Sequence, residues 1–264
     1  MTSGMRRLAT GLLIFGMMFG LMMFCPSLPA GADTIGIVLM HGKTAAPNVG
    51  IDGLAAALQG AGYLVDAPEM CWSKQRIYDR PLLDCLTEID AAVARLKARG
   101  AARIVVAGMS QGGDAALVYG ASRGGLAAIL VLAPASPEHQ FTLPGIADSV
   151  TQARAQVAAG HANETGSFSD RNAFGLFQVR TTAAIYLSYL DPQGPANVLA
   201  AVRRLRLPLL WVAGNADPSQ TGAQAVFQQA PTNPQSRFVT VASAHLGTPN
   251  AAKDSVLAWL AALR

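Results

Sequence analysis

The chain predicts a layered α/β fold with a mostly parallel sheet of about six strands, and three observations carry that prediction. Short, continuous apolar runs such as residues 35–40 and 127–133 read as strands buried on both faces. Between them lie stretches with apolar residues at helical spacing, so strands and helices alternate, as parallel pairing through right-handed crossovers requires. The run at residues 103–107 leads into Gly108-Met109-Ser110-Gln111-Gly112 and then a stretch of small residues, the strand, sharp turn and helix that lift a serine hydroxyl off a sheet edge.

Each element follows from its own pattern. Residues 35–40 make the first strand. Residues 51–61 follow as a helix with Leu54 and Leu58 on one face, stopped by Gly60 and Gly62. Tyr63-Leu64-Val65 is the second strand. Pro81 starts a helix whose apolar face is Leu82, Leu86, Ile89, Val93 and Leu96, ending near Gly100. Residues 104–107 are the strand that feeds Ser110, and the helix after it runs through 115–119. Further strands fall at 127–133, 209–213 and 238–241, and a helix over 250–263 closes the chain. From residue 138 to about 206 no clear strand is visible, only polar patches such as 163–167 and helical stretches at 150–158 and 198–204. A compact domain rarely tolerates a structureless loop of that length. We read the segment as a small, mainly helical cap inserted between two strands.

Residues 1–32 read as a secretory leader. Arg6 and Arg7 precede the apolar stretch 8–24, and Ala30-Gly31-Ala32 gives a small-x-small cleavage pattern before Asp33. The alternative, an uncleaved anchor, fits poorly with so short an apolar run followed by Pro26 and Pro29. Cleavage leaves 33–264 as one domain, periplasmic or secreted, with no stable membrane span. The formal net charge of +4 includes the two leader arginines. No Lys/Arg cluster with interleaved aromatics appears, which argues against nucleic acid as a partner. Of the three cysteines, Cys25 leaves with the leader. Cys71 and Cys85 remain, an even count in an oxidising compartment. We expect a disulfide closing a loop of about 15 residues and contributing on the order of 3 kcal/mol; the alternative is two separate buried thiols. No spacing of metal ligands and no phosphate-cradling glycine loop is present, so no cofactor or metal is implied. We expect a monomer.

A bare G-x-S-x-G carries little weight in a chain of 26 glycines; the strand before it and the helix after it give it meaning. A serine hydroxyl needs a base within reach, and the base needs an orienting acid. His245 follows the last strand, on the edge where Ser110 emerges. His41 ends the first strand, but Gly42 beside it points to a backbone role, and His139 and His161 fall in the cap. Asp217, in Gly214-Asn215-Ala216-Asp217-Pro218, sits just past the 209–213 strand and is the candidate acid; Asp191 in the cap is the runner-up. The N–H of Gln111, at a helix N-terminus, suits an oxyanion, and the amide of Lys43 after the first strand is the second candidate donor. Tyr186, Tyr189 and Phe177 are candidate pocket liners beneath the cap, although aromatics at such spacing usually belong to a core. Trp72, beside Cys71, either lies near the site or packs.

In these residues the chain resembles the α/β-hydrolase superfamily, in particular secreted bacterial members of esterase or lipase type. His41-Gly42 after the first strand, the serine elbow, and the order Ser110, Asp217, His245 carry the resemblance across nearly all of 33–264. It implies Ser110 as nucleophile, Asp217 as acid, His245 as base, Lys43 and Gln111 as backbone oxyanion donors, and a cap between the strands flanking residues 138–206. It departs from many members in having no room for an antiparallel strand pair before the first strand, which implies a reduced sheet. The implied activity is hydrolysis of a small-molecule carboxylic ester or thioester. Two other readings share these residues: a binding protein that keeps the fold without chemistry, and the same triad acting on an amide or in peroxyacid exchange.

Overall fold

The alternation of apolar runs and helical patterns is realised in a computed structural model that describes Met1 and residues 34–263. The expected leader, Met1 apart, and its cleavage site lie outside the described residues. In chain order the elements are β1 (Ile35–Met40), α1 (Asp52–Gly60), β2 (Leu64–Asp66), α2 (Leu82–Ala98), β3 (Arg103–Met109), α3 (Gln111–Ser122) and β4 (Ala128–Leu132). Then come α4 (Pro137–Gln140), α5 (Ile146–Ala158), β5 (Thr165–Asn172), β6 (Gly175–Thr182), α6 (Ala183–Leu190) and α7 (Val198–Arg204). The chain closes with β7 (Leu209–Gly214), α8 (Ala223–Phe227), β8 (Arg237–Val241), α9 (Thr248–Ala251) and α10 (Lys253–Ala262).

Six strands pair in the order β2-β1-β3-β4-β7-β8, every neighbour parallel. Side chains alternate across a strand, so each continuous apolar run fills two cores at once. Ile37, Leu39, Val105, Ala107, Leu130 and Val212 face a layer that includes Leu54 and Leu58 of α1 and Val256 and Leu260 of α10. Val38, Met40, Ile104, Val106, Ile129 and Trp211 face the other, with Leu86 and Ile89 of α2, Leu117 of α3 and Val202 of α7. This two-sided burial is why the strands lack polar alternation. The chain steps outward from β1 to β2 and then returns to β3 on the other side of β1. The order therefore reverses at the carboxyl ends of β1 and β3, where open α/β sheets place their sites.

The segment between β4 and β7 holds more helix than strand, as expected, but it also contains a pair of strands that the sequence pattern did not show. Helices α5 and α6 pack against an antiparallel hairpin, β5 against β6, in register from Thr165↔Thr182 to Asn172↔Gly175. Phe168, Asp170, Val179 and Thr181 point inward and are buried, while Ser167, Arg171, Leu176 and Arg180 alternate outward. The strand period was hidden because one inward position is a carboxylate and β5 is otherwise mostly polar. The last helix of the segment, α7, packs with α3 in the main layer rather than standing apart as a cap.

Cys71 and Cys85 form a disulfide with Cα atoms 6.0 Å apart, as the cysteine count led us to expect. It ties the loop after β2 to the first turn of α2. Among the described residues, no helix is long and apolar enough to cross a membrane.

Candidate active site

Ser110 sits where β3 meets α3 with φ 53° and ψ −121°, a left-handed backbone that a residue with a Cβ adopts only under constraint. The constraint is visible. Ser110 N–H donates to Leu132 O of β4 (2.9 Å), and Ser110 O accepts from Gly113 N (2.8 Å) and Asp114 N (3.1 Å), opening the helix. The two motif glycines permit the turn. A Cβ on Gly108 would stand 2.2 Å from Gly112 O, and one on Gly112 would stand 2.7 Å from His41 O.

The same kind of strain marks this whole edge. Among the described residues, non-glycine positive φ occurs at Thr44, Asn48, Ile77, Tyr78, Ser110, Ala133 and Ser136. All of them lie on loops leaving the carboxyl ends of β1 to β4. Strain of this kind persists only where the surroundings over-determine it.

Asp217 and His245 are brought together from the ends of β7 and β8. His245 Nδ1 donates to Asp217 Oδ2 at 2.7 Å. Asp217 Oδ1 accepts from Ser219 N (3.0 Å) and Ser219 Oγ (2.7 Å) at the start of a 3-10 turn, Pro218–Gln220. Burial alone would raise the Asp217 pKa, but the hydrogen bonds from His245 and Ser219 outweigh it and hold the carboxyl below its ordinary value. With Nδ1 committed to the carboxylate, Nε2 is the ring atom left to accept a proton. The His245 side chain is 21% exposed against 3% for Asp217. A hydrogen bond between Ser110 Oγ and His245 is not among those the described residues make. Asp191, the runner-up acid, is paired with Arg154 (2.9 Å) inside the insertion instead, and His161 pairs with Glu164.

The loop after β1 runs against Ser110. A Cβ on Gly42 would lie 3.4 Å from Ser110 Cβ. The peptide joining Gly42 and Lys43 is fixed from its carbonyl end, because Gly42 O accepts from His41 Nδ1 (2.8 Å) and Ala45 N (3.3 Å). A trans peptide points its N–H opposite its C=O, so the Lys43 N–H is turned away from these partners. Neither it nor the Gln111 N–H, an unpaired first-turn donor of α3, meets a protein acceptor among the described residues. His41 itself is fully buried, its Nε2 accepting from Met70 N (3.2 Å). Burial lowers its pKa, with the bond to Gly42 opposing. It is a neutral brace, in keeping with the backbone role read from the sequence.

Several supporting residues were not legible beforehand. Trp72 donates from Nε1 to His41 O (3.0 Å), and Thr44 N donates to Trp72 O (2.8 Å), so the disulfide loop clamps the loop after β1. Gln220 Nε2 donates to Pro134 O (2.9 Å), tying the Asp217 turn to the loop after β4. Tyr186 and Tyr189 are core residues rather than pocket liners. Tyr186 stacks on Phe168 with centroids 4.7 Å apart, and Tyr189 stacks on Tyr78 at 4.3 Å. A cleft of about 610 Å³ borders Asp217, Gln220, Gln224 and Phe238 but neither Ser110 nor His245, so it is separate from the serine.

No protein-family model and no curated protein matches the chain. Solved structures do. The monoacylglycerol lipase of Paleococcus ferrophilus aligns with a TM-score of 0.66 at 17% identity, over 88% of this chain and 97% of that one. Est1E from Butyrivibrio proteoclasticus, solved with ferulic acid, aligns at 0.58 and 19%, over 87% and 91%. The thioesterase domain from the curacin biosynthetic pathway aligns at 0.53 and 16%, over 87% and 92%. At such identities the likeness establishes the α/β-hydrolase fold and leaves the reaction to be argued from the site.

Proposed function

We propose that the chain is a serine hydrolase cleaving a carboxylic ester or thioester through an acyl-enzyme. The observation that carries the reading is the 2.7 Å bond from His245 Nδ1 to Asp217 Oδ2, at the same sheet edge as a serine on a strained elbow. Ser110 Oγ attacks the carbonyl carbon while His245 Nε2 takes its proton. Asp217 keeps the imidazole in the required tautomer and stabilises its charged form without itself taking the proton. The oxygen that becomes negative accepts from the N–H groups of Lys43 and Gln111. The imidazolium then protonates the leaving alcohol or thiol. Water, deprotonated by His245, attacks the acyl-serine and releases the acid. The contact between Ser110 and His245 tightens when substrate fills the site.

The likeness to lipases, esterases and a thioesterase supports the bond class. We further propose export of the mature chain from Asp33, with the Cys71–Cys85 disulfide in keeping with an oxidising compartment.

The test is Ser110→Ala assayed on short p-nitrophenyl esters. The expected result is loss of turnover with unchanged circular dichroism, together with loss of labelling by a fluorophosphonate probe. Equal rates for the two proteins refute the reading. Intact mass of the exported protein checks cleavage before Asp33.

A further inference from the structure

Lys43 lies on the loop after β1, yet its side chain leaves the serine and enters the insertion. The side chain is 3% exposed, and its ammonium donates to Asp170 Oδ1 at 2.7 Å and to Gln140 Oε1 at 2.8 Å. Asp170, on β5, is fully buried. Its Oδ2 accepts from Tyr78 OH (2.7 Å), and Oδ1 also accepts from Arg171 N (2.6 Å). Burial first, and then the neighbouring carboxylate, push the Tyr78 phenol well above its usual pKa, so it stays a donor. Two residues along the same strand, Asn172 Nδ2 donates to Thr44 Oγ1 (2.9 Å), and Thr44 Oγ1 donates to Lys43 O (2.7 Å). Thr44 is held at φ 56°.

We propose that Asp170 is a positioning residue for the oxyanion site: through Lys43 it makes the insertion hairpin set the direction of the Lys43 N–H. The inference rests on the serine-hydrolase reading and deepens it. The peptide plane that carries this N–H has its carbonyl end held by His41 and Ala45. Its other end is the Lys43 Cα, which is tethered through the side chain to Asp170. Displacing the Lys43 Cα, and with it the amide it carries, would drag a buried ammonium off its carboxylate, and ion pairs weaken little by screening when they are dry. Fixed donors aimed at a developing charge are what electrostatic catalysis needs, since donors that must reorient at the moment of reaction lose their advantage. The hairpin therefore belongs to the catalytic scaffold.

The experiment compares Asp170→Asn, the double variant Lys43→Met with Asp170→Asn, and Arg154→Gln. The double variant leaves no unpaired buried charge and so covers the case in which Asp170→Asn fails to fold. Each is assayed for kcat and KM on p-nitrophenyl esters, for affinity toward phenylboronic acid, whose adduct mimics the tetrahedral oxyanion, and for thermal midpoint. Both Asp170 variants should lose about 10- to 100-fold in kcat, within the loss expected for one oxyanion donor, with KM within about threefold. Boronate affinity should fall by the same factor as kcat/KM. Arg154→Gln breaks the insertion's ion pair with Asp191 and should lower the thermal midpoint without moving boronate affinity. Full kcat in the folded double variant, or a kcat loss without a boronate loss, overturns the inference. The two readings separate cleanly. Activity surviving in Ser110→Ala removes the serine reading and this one with it, whereas an inert Ser110→Ala beside a fully active Asp170 variant removes this one alone.

Discussion

On one flank of Ser110, the loop bearing Lys43 is gripped from two remote parts of the chain. Asp170 holds its ammonium, and Trp72, beside the Cys71–Cys85 disulfide, holds the His41 carbonyl and the Thr44 amide. On the other flank, the His245 side chain stands 21% exposed at the head of a 3-10 turn, and among the described residues its ring hydrogen-bonds to Asp217 and makes a 3.4 Å approach to Ser219. The contrast matches the tasks the two flanks would have. Oxyanion donors act best when nothing about them has to move. A base must serve two atoms in turn, the serine oxygen and then the leaving group, so it needs a fixed tautomer but some freedom of the ring. The molecule spends a disulfide-bonded loop and a buried ion pair on the first task and hydrogen bonds alone on the second.

Breaking the His245 flank should have the largest effect. Asp217→Asn leaves the packing in place but turns a hydrogen-bond donor toward His245, favouring the wrong tautomer. We expect kcat to fall by about 10⁴ with little change in thermal midpoint, read by ester turnover and scanning calorimetry. A loss below tenfold would mean that Asp217 is only a turn former.

Breaking the braced flank should cost stability first. Replacing Cys71 and Cys85 together by serine removes a cross-link worth about 3 kcal/mol and loosens the Trp72 clamp. Urea midpoints should drop accordingly, and kcat should fall several-fold with KM unchanged. Lost stability with full kcat would show that the clamp does not reach the oxyanion site.

Between the flanks lies Asp114, one turn into α3. Its Oδ1 accepts from Ser136 N (3.1 Å), and burial pushes its pKa up to about 8. A carboxyl whose folded pKa lies above its unfolded value keeps its proton in the folded state alone across that interval. Stability therefore declines as pH rises from about 4 to about 8, with a flat contribution beyond. Asp114→Asn should abolish that decline in thermal midpoints measured across the range. Asp217 has the opposite sign: its lowered pKa contributes stability above the unfolded value, lost as pH falls through the folded one.

The smallest expected effect is that of Ser219→Ala. It removes one of the donors to Asp217 while the His245 bond remains, so turnover should fall only a few-fold and acid unfolding should begin at slightly higher pH. An unchanged acid midpoint would assign the low Asp217 pKa to His245 and the Ser219 N–H without the hydroxyl.

The sequence made one class of feature readable and hid another. Strands buried on both faces announce themselves, because residues such as Ile37 and Val38 serve opposite layers and leave no polar gap. Ser110 and Asp217 stood out because each follows such a run, His245 because it follows β8, an edge strand only partly buried, and the cysteines because two remain once a leader is set aside. The β5–β6 hairpin did not, since its inner face carries Asp170 where an apolar residue would have marked the period. Nor did the Lys43 partner. A lysine one residue past a glycine says nothing of a carboxylate 127 positions away, and Trp72 gave no sign that its ring N–H grips His41. Local patterning specified the elements, and tertiary pairing specified the bracing.

An acyl-enzyme requires a covalent bond from a substrate acyl group to Ser110 Oγ, which acid-quenched intact-mass analysis during turnover of a p-nitrophenyl ester detects. The expected result is a mass increase equal to the acyl group, mapped to the peptide containing Ser110 and absent from Ser110→Ala. Turnover with no adduct at any time point, or an adduct on another residue, would contradict it.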